Sequence, residues 1–316
     1  MDWSDRHCRY FFRQLAPHAL VYSEMLTTGA LIHGDVERHL DFNREEHPVA
    51  LQLGGSEPGD LAHCAKLGES WGYDEINLNC GCPSERVQRG SFGACLMAEP
   101  RLVADCVKAM QDAVSIPVTI KHRLGIDTIE DYAFVHHFVE ILAASGCRTF
   151  IVHARNAILK GLSPKDNRQI PDLKYDYVYR LKRDFPECYI VINGGITSAA
   201  DVFDKLQHVD GAMLGRSAYH NPYLLAQIEA RLYTTTRVAS RAEIVKAMWA
   251  YADTQTRRGT QLRAITRHML GLYHGQANAR AWRRLLCDPA RLAENRADLI
   301  LEAQQLVNDE ALAVDA

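Results

Sequence analysis

The chain has 316 residues, 47% of them hydrophobic and 24% charged, with a formal net charge of −3. Those values fit a globular enzyme with one large domain and a smaller one, and they exclude fibrous, low-complexity and membrane-spanning classes. Nine dispersed cysteines form no secreted disulfide framework and no basic-then-apolar leader is present, so reduced thiols, a cytoplasmic location and no membrane partner are expected.

In chain order, MDWSDRH at the start looks like the loop after a strand. Short apolar runs follow: LVYSEM at 20–25, PVALQLGG at 48–55, EINLNCGC at 75–82 and PVTIKHRLG at 117–125. TFIVHAR at 149–155, YIVINGGI at 189–196 and AMLGRS at 212–217 complete the series. Amphipathic stretches at 58–71, 100–114, 129–144 and 198–207 alternate with them, which predicts a parallel sheet with crossover helices. Nearly every run carries polar residues at its C-terminal end. That favours a (β/α)8 TIM barrel over a doubly wound sheet, where ligand-binding residues concentrate at one switch point. Seven strands are visible, so the first is expected upstream of Met1.

After Tyr219-His-Asn-Pro222 the strand runs stop. TTTRVASRAEIVKAM reads as a polar linker with a helix start near Ser240, and helical periodicity continues to the end, predicting three or four helices. The predicted division is a barrel over 1–235 and a helical domain over 236–316. Residues 241–300 hold eleven Lys/Arg against five Asp/Glu, a +6 excess on an otherwise acidic chain. A polyanion is a natural partner for such a segment.

Residues that carry chemistry sit at the strand ends. Asn193-Gly194-Gly195 and Gly215-Arg216 follow the last two strands, where barrels commonly hold a phosphate on backbone N–H groups. Gly after a strand is otherwise ordinary turn chemistry, but two such pairs in consecutive positions point to a phosphate. Lys121 leaves a strand end where an ammonium calls for an anion or an electron-rich ring. Gln52 can hydrogen-bond a pyrimidine edge, and His153 can donate to the same ring or its polar chain. Each alone reads as a solvated strand end; together they favour a flavin.

Cys82 lies in the polar, glycine-flanked GCPSERVQRG. It is a reactive thiol, a small buried hydrophobe, or half of a Cys80-Gly-Cys82 metal site. The polar setting favours the first and the lack of a second ligand pair disfavours the last. Cys95, in GACLM, reads as packed. In ARAWRR, Arg280, Arg283 and Arg284 share a helix face with Trp282 turned elsewhere, which suits either a solvated face or a phosphate-backbone contact.

The segments NLNCGCPSERVQRGSFGACLM, KHRLG, HARNAILKGLSPKDNR, NGGI and GRSAYHNP occur in this order, with MDWSDRHCRYF, HPVALQLGG and ITRHMLGLYHG besides. With them the chain resembles the tRNA-dihydrouridine synthase family, in its bacterial A-type subfamily, over nearly its whole length. The resemblance implies an FMN enzyme that uses NADPH to reduce uridine 20 and 20a in the D-loop of tRNA, acting as a monomer. By motif position it makes Cys82 the general acid. It assigns Met1, Gln52, Lys121, His153, Asn193, Gly194, Gly195, Gly215 and Arg216 to FMN. Asn79, Lys165, Arg168, Arg280 and Arg283 are assigned to tRNA. The family's Ala-Pro-Met precedes Asp-Trp-(Thr/Ser)-Asp, and only its Met remains here, as Met1.

Overall fold

A computed structural model of the chain describes residues 3–129, 131–233 and 237–311. Seven strands form one sheet in sequence order: β1 (Val21–Thr27), β2 (Val49–Gly54), β3 (Glu75–Cys80), β4 (Val118–His122), β5 (Thr149–His153), β6 (Tyr189–Asn193) and β7 (Gly211–Met213). They are parallel and curl into a half-barrel with helices around it, the architecture of a (β/α)8 barrel followed by a helical C-terminal region. All seven predicted strands are present. β2 to β6 are each set by a short β-branched or leucine-rich run, whereas β7 is only Gly211-Ala212-Met213.

Alternation along the strands separates two faces. Leu51, Ile76, Leu78, Ile120, Phe150 and Ile190 are fully buried. Residues one position away, including Gln52, Asn77, Asn79, Thr119 and Lys121, hydrogen-bond across neighbouring strands on the opposite face. The helix Pro58–Ser70 packs closest at Gly68, where an added Cβ would lie 2.6 Å from Leu51 Cδ2 and 2.8 Å from Ile76 Cδ1. Helices Pro100–Ala113 and Tyr132–Ala144 bury Val103, Cys106, Val107 and Met110, and Val135, Phe138, Val139 and Leu142, at helical spacing.

The chain divides into two compact units. One comprises residues 22–42 and 47–215; the other joins 2–21 and 43–46 to 216–316. The units therefore differ from a single cut at 235/236, because the first twenty residues and the segment from Arg216 onward cluster with the C-terminal helices. The opening segment is also no mere loop. Asp5 caps a helix, Arg6–Leu15, by accepting from the N–H groups of His7 and Cys8, and Cys8, Phe11 and Leu15 are buried. Beside it, Arg9 Nε pairs with Glu46 at 2.5 Å, both side chains being buried. Burial pushes the Glu46 carboxyl up, against Arg9 and the Asn43 donors.

Among the described residues beyond 236 five helices appear where three or four are predicted: Arg241–Arg257, Leu262–Met269, Ala279–Leu286, Pro289–Ala293 and Leu299–Ala311. The extra one is the five-residue turn capped by Asp288 before Pro289, too short to show a period in sequence. Ser240 starts the first with a reciprocal Ser240–Glu243 capping box, as its sequence predicts. The core of this unit is Phe11, Leu15, Met248, Ile265, Met269 and Trp282 among others, with the Trp282 indole N–H on Met269 O at 3.1 Å.

Candidate active site

Cys82 follows the C-terminal end of β3 and is half-buried. Asn79 builds the turn that carries it: Asn79 Oδ1 accepts from the backbone N–H of both Gly81 and Cys82 at 3.0 Å. The thiol lies 3.7 Å from Ser84 Oγ, and Ser84 caps the short helix Glu85–Arg89. The loop folds back at Gly93, with Ala94 N–H on Cys82 O at 2.9 Å; a Cβ on Gly93, at φ +76°, would lie 2.6 Å from that oxygen. Cys95 is partly buried, its Sγ 3.1 Å from Phe92 O, and burial pushes its thiol up.

Two cations of the barrel unit are coupled electrostatically to this thiol. Lys121 is pulled down to about 8 by burial and by the charge of Arg123, with the Cys82 sulfur acting in the opposite direction. Its ammonium donates to a neutral oxygen, Asn193 Oδ1, at 3.2 Å, and no carboxylate pairs with it among the described residues. Arg123 is 3% exposed and lowered to about 10, again by burial first, with Cys82 opposing and Arg155 and Arg168 adding to the shift. Its guanidinium donates to three carbonyls: Gly81 O at 3.2 Å, Asn156 O at 3.0 Å and Asn167 O at 2.8 Å. It thereby fastens the Cys82 loop to the loop after β5. Gln88 Nε2 repeats the link by donating to Pro83 O and Leu159 O, each at 2.8 Å.

At the end of β6, Asn193 Nδ2 donates to Met213 O at 2.8 Å, joining β6 to β7. Gly194 and Gly195 have φ of +110° and +70°. A Cβ on Gly194 would lie 2.6 Å from His153 Cδ2, and one on Gly195 2.4 Å from Leu173 Cδ1, so both positions require glycine. Tyr175 hydroxyl donates to Gly194 O at 2.9 Å. Gly215 is exposed, with open space where its Cβ would be, and Arg216 opens the helix Arg216–His220.

The barrel unit thus brings together Cys82, Lys121, Asn79, Gln52, His153 and Asn193–Gly195 from β2 to β6. Two of these differ in use from the sequence reading. Gln52 and Asn79 spend much of their amide capacity on each other and on the protein, which leaves Gln52 one N–H and one lone pair for a ligand. Lys165 and Arg168 are exposed on the loop after β5, which Asn167 anchors from within by accepting from Ile158 N–H and donating to Ile158 O. Met1 lies outside the described residues. In the helical unit Arg280, Arg283 and Arg284 are exposed, Trp282 is fully buried, and the arginines line a concavity of about 830 Å³ with His274 and Asn278.

Tyr175 escaped the sequence reading as a site residue, and Arg123, one of the polar residues at the strand ends, was given no role there. Arg123 stands in KHRLG two places after Lys121, so the period-2 rule placing both on one strand face is the signal that could have found it. Tyr175 lies on the helix Tyr175–Asp184 and nothing in its sequence neighbourhood ties it to Gly194.

Polar and cationic residues at the C-terminal ends of successive parallel strands define an enzyme of the (β/α)8-barrel class, with a thiol at the mouth. Residues 1–309 match the family model described as Dihydrouridine synthase (Dus), and the chain belongs to that family. Among its relatives is a tRNA-dihydrouridine(20/20a) synthase of Synechocystis sp., 56% identical over 306 residues, covering 96% of this chain and 92% of that one. A protein of the same name from Shewanella oneidensis is 54% identical over 314 residues, 99% of this chain and 93% of that one. One from Salmonella typhi is 53% identical over 311 residues, 98% and 93%. No helix among the described residues is long and apolar enough to cross a membrane.

Proposed function

We propose that this chain reduces uridine to 5,6-dihydrouridine in the D-loop of tRNA, at positions 20 and 20a, acting as a cytoplasmic monomer with FMN as cofactor and NADPH as reductant. The observation that carries the reading is Cys82, held by Asn79 in the same unit as two cations, half-buried Lys121 and buried Arg123, with which no carboxylate pairs among the described residues. Buried cations among neutral acceptors favour an anionic or electron-rich occupant. FMN would fit them: Lys121 and Gln52 would hold its ring, His153 its edge or chain, and the backbone of Gly194, Gly195 and Gly215, with Arg216, its phosphate. Met1, assigned to the same cofactor by motif, completes the set.

FMN, reduced by NADPH, supplies a hydride equivalent for uracil C6. The protein's part is protonation and positioning. Cys82 donates the thiol proton to C5, its S–H bond breaking as the new C–H bond forms, and solvent restores the proton. Lys121 and Arg123 stabilise the thiolate left behind. Asn79 holds the donor's backbone and faces the base. The base must leave its stack to reach the barrel, and Lys165, Arg168, Arg280 and Arg283 grip the backbone that presents it.

Two measurements test this. The purified full chain should release FMN on denaturation; a colourless protein that cannot be reconstituted with FMN overturns the cofactor assignment. Expression in a strain lacking D-loop uridine reduction should restore dihydrouridine at 20 and 20a, and restoration at other positions alone overturns the site assignment.

A further inference from the structure

Five side chains of the barrel unit form one hydrogen-bonded file from the Cys82 loop to a buried carboxyl, and the reaction above uses only its outer end. Gly81 and Cys82 N–H donate to Asn79 Oδ1 at 3.0 Å, and Asn79 Nδ2 donates to Gln52 Oε1 at 2.9 Å. Gln52 Nε2 then donates to Asn77 Oδ1 at 2.8 Å, and Asn77 Nδ2 to Thr119 Oγ1 at 2.8 Å. Thr119 passes its hydroxyl proton to Glu75 Oε1 at 2.7 Å, an oxygen that also accepts from Tyr22 at 3.0 Å. Glu75, Asn77 and Thr119 are buried.

The direction of this file is not free. A backbone N–H can only donate, so Asn79 must turn its oxygen to Gly81 and Cys82 and its NH2 to Gln52. Gln52 must then present oxygen outward and NH2 inward, and Asn77 likewise. Thr119, with its acceptor side taken, has one proton to give and needs an acceptor at the far end. Because each amide has a donor end and an acceptor end, a flip at one member forces flips along the file. The reversed arrangement sets the Asn79 NH2 against two N–H groups and opens the Cys82 turn.

We infer that Glu75 is a positioning residue for Cys82: its carboxyl oxygen, acting as the terminal acceptor, fixes the amide orientations of Asn77, Gln52 and Asn79 and so holds the Gly81–Cys82 turn. The consequence for catalysis rests on the reading of Cys82 as proton donor; the relay itself does not. Without an acceptor at 75, the Thr119 hydroxyl turns to Asn77 Oδ1, which reverses the file.

Hydrogen exchange of the full chain tests this through the Gly81 and Cys82 amides. Glu75→Met and Thr119→Val should each speed their exchange about tenfold or more, as expected for roughly one lost hydrogen bond. Glu75→Gln and Thr119→Ser keep the acceptor and the hydroxyl, so protection should stay within about twofold of the wild type. Amides of Ile190 and Ile192 report general loosening; if Glu75→Met loosens the barrel, Thr119→Val, which removes only the hydroxyl, decides. Unchanged protection in Thr119→Val overturns the relay, and so does Glu75→Gln behaving like Glu75→Met. Uridine reduction by the same variants separates the two readings. Released amides with unimpaired reduction leave the relay in place and remove Cys82 as donor; protected amides beside an inactive Cys82→Ala remove the relay and leave the reaction.

Discussion

In the helical unit Arg9 is buried against Glu46, and Asp5 faces Arg267 and His268, whereas in the barrel unit half-buried Lys121 and buried Arg123 donate to neutral acceptors. Burial pushes the Asp5 carboxyl up, yet the His268 and Arg267 contacts outweigh it and hold the group well below the usual carboxylate range. Burial drives the two barrel cations the other way, toward neutrality, and no carboxylate pairs with them among the described residues. Paired charge fixes a fold, and unpaired charge of one sign marks a place kept for a ligand.

The largest effect expected is at the Cys82 thiol. Cys82→Ala should lower uridine reduction on the order of 10²- to 10⁴-fold, the usual contribution of a general acid, with FMN still bound and reducible by NADPH. Single-turnover assays on tRNA measure it, and Cys95→Ala as the damaging change instead would make Cys95 the acid in place of Cys82. The paired side of the comparison predicts a loss of stability. Glu46→Gln leaves Arg9 buried without a counter-charge and should cost about 3–5 kcal/mol in urea unfolding.

A third variant sits on the exposed side. Arg280→Glu with Arg283→Glu should weaken tRNA binding and reduce the slope of log K against log salt by about one per arginine, while NADPH oxidation by the flavin is unchanged. An unaltered slope makes those arginines an ordinary solvated face. The smallest change in stability is expected at Lys121. Lys121→Met should stay within about 1 kcal/mol of the wild type, because the acceptor it leaves, Asn193 Oδ1, is neutral and only half-buried. The sign with pH follows from the lowered value near 8. Between there and the ordinary lysine range the unfolded chain holds more protons, so stability rises with pH across that window, and the Met variant should lack the rise. FMN retention should move oppositely in the wild type, falling as pH passes about 8 and the ammonium is lost.

The seven strands and their crossover helices were legible because each repeats a short apolar run followed by an amphipathic one. The Arg6–Leu15 helix was not, since Cys8, Phe11 and Leu15 alternate with Arg6, His7, Arg9 and Arg13, and its packing partners lie near residue 250 and beyond. Cys82, Lys121 and the Gly194–Gly195 turn stood out as residue types with few structural reasons to end a strand. Glu75, Asn77 and Thr119 did not, because Asn77 and Thr119 lie between apolar strand neighbours and Glu75, after Asp74, reads as a solvated strand start. Their meaning appears only once register puts Asn77 opposite both Gln52 and Thr119.

The helix at the start of the chain also sets an order of events during synthesis. His7 bonds Tyr251 and Asp5 bonds Arg267, contacts separated by 244 and 262 residues. At translation rates of 5–20 residues per second, Phe11 and Leu15 wait on the order of ten to fifty seconds for the segment that covers them. The barrel unit, drawn from residues 22–215, has by then left the ribosome whole. The nascent protein therefore passes through a stage in which its catalytic half can be folded while its first helix is still without a partner, and that stage is where a chaperone or a protease would meet it.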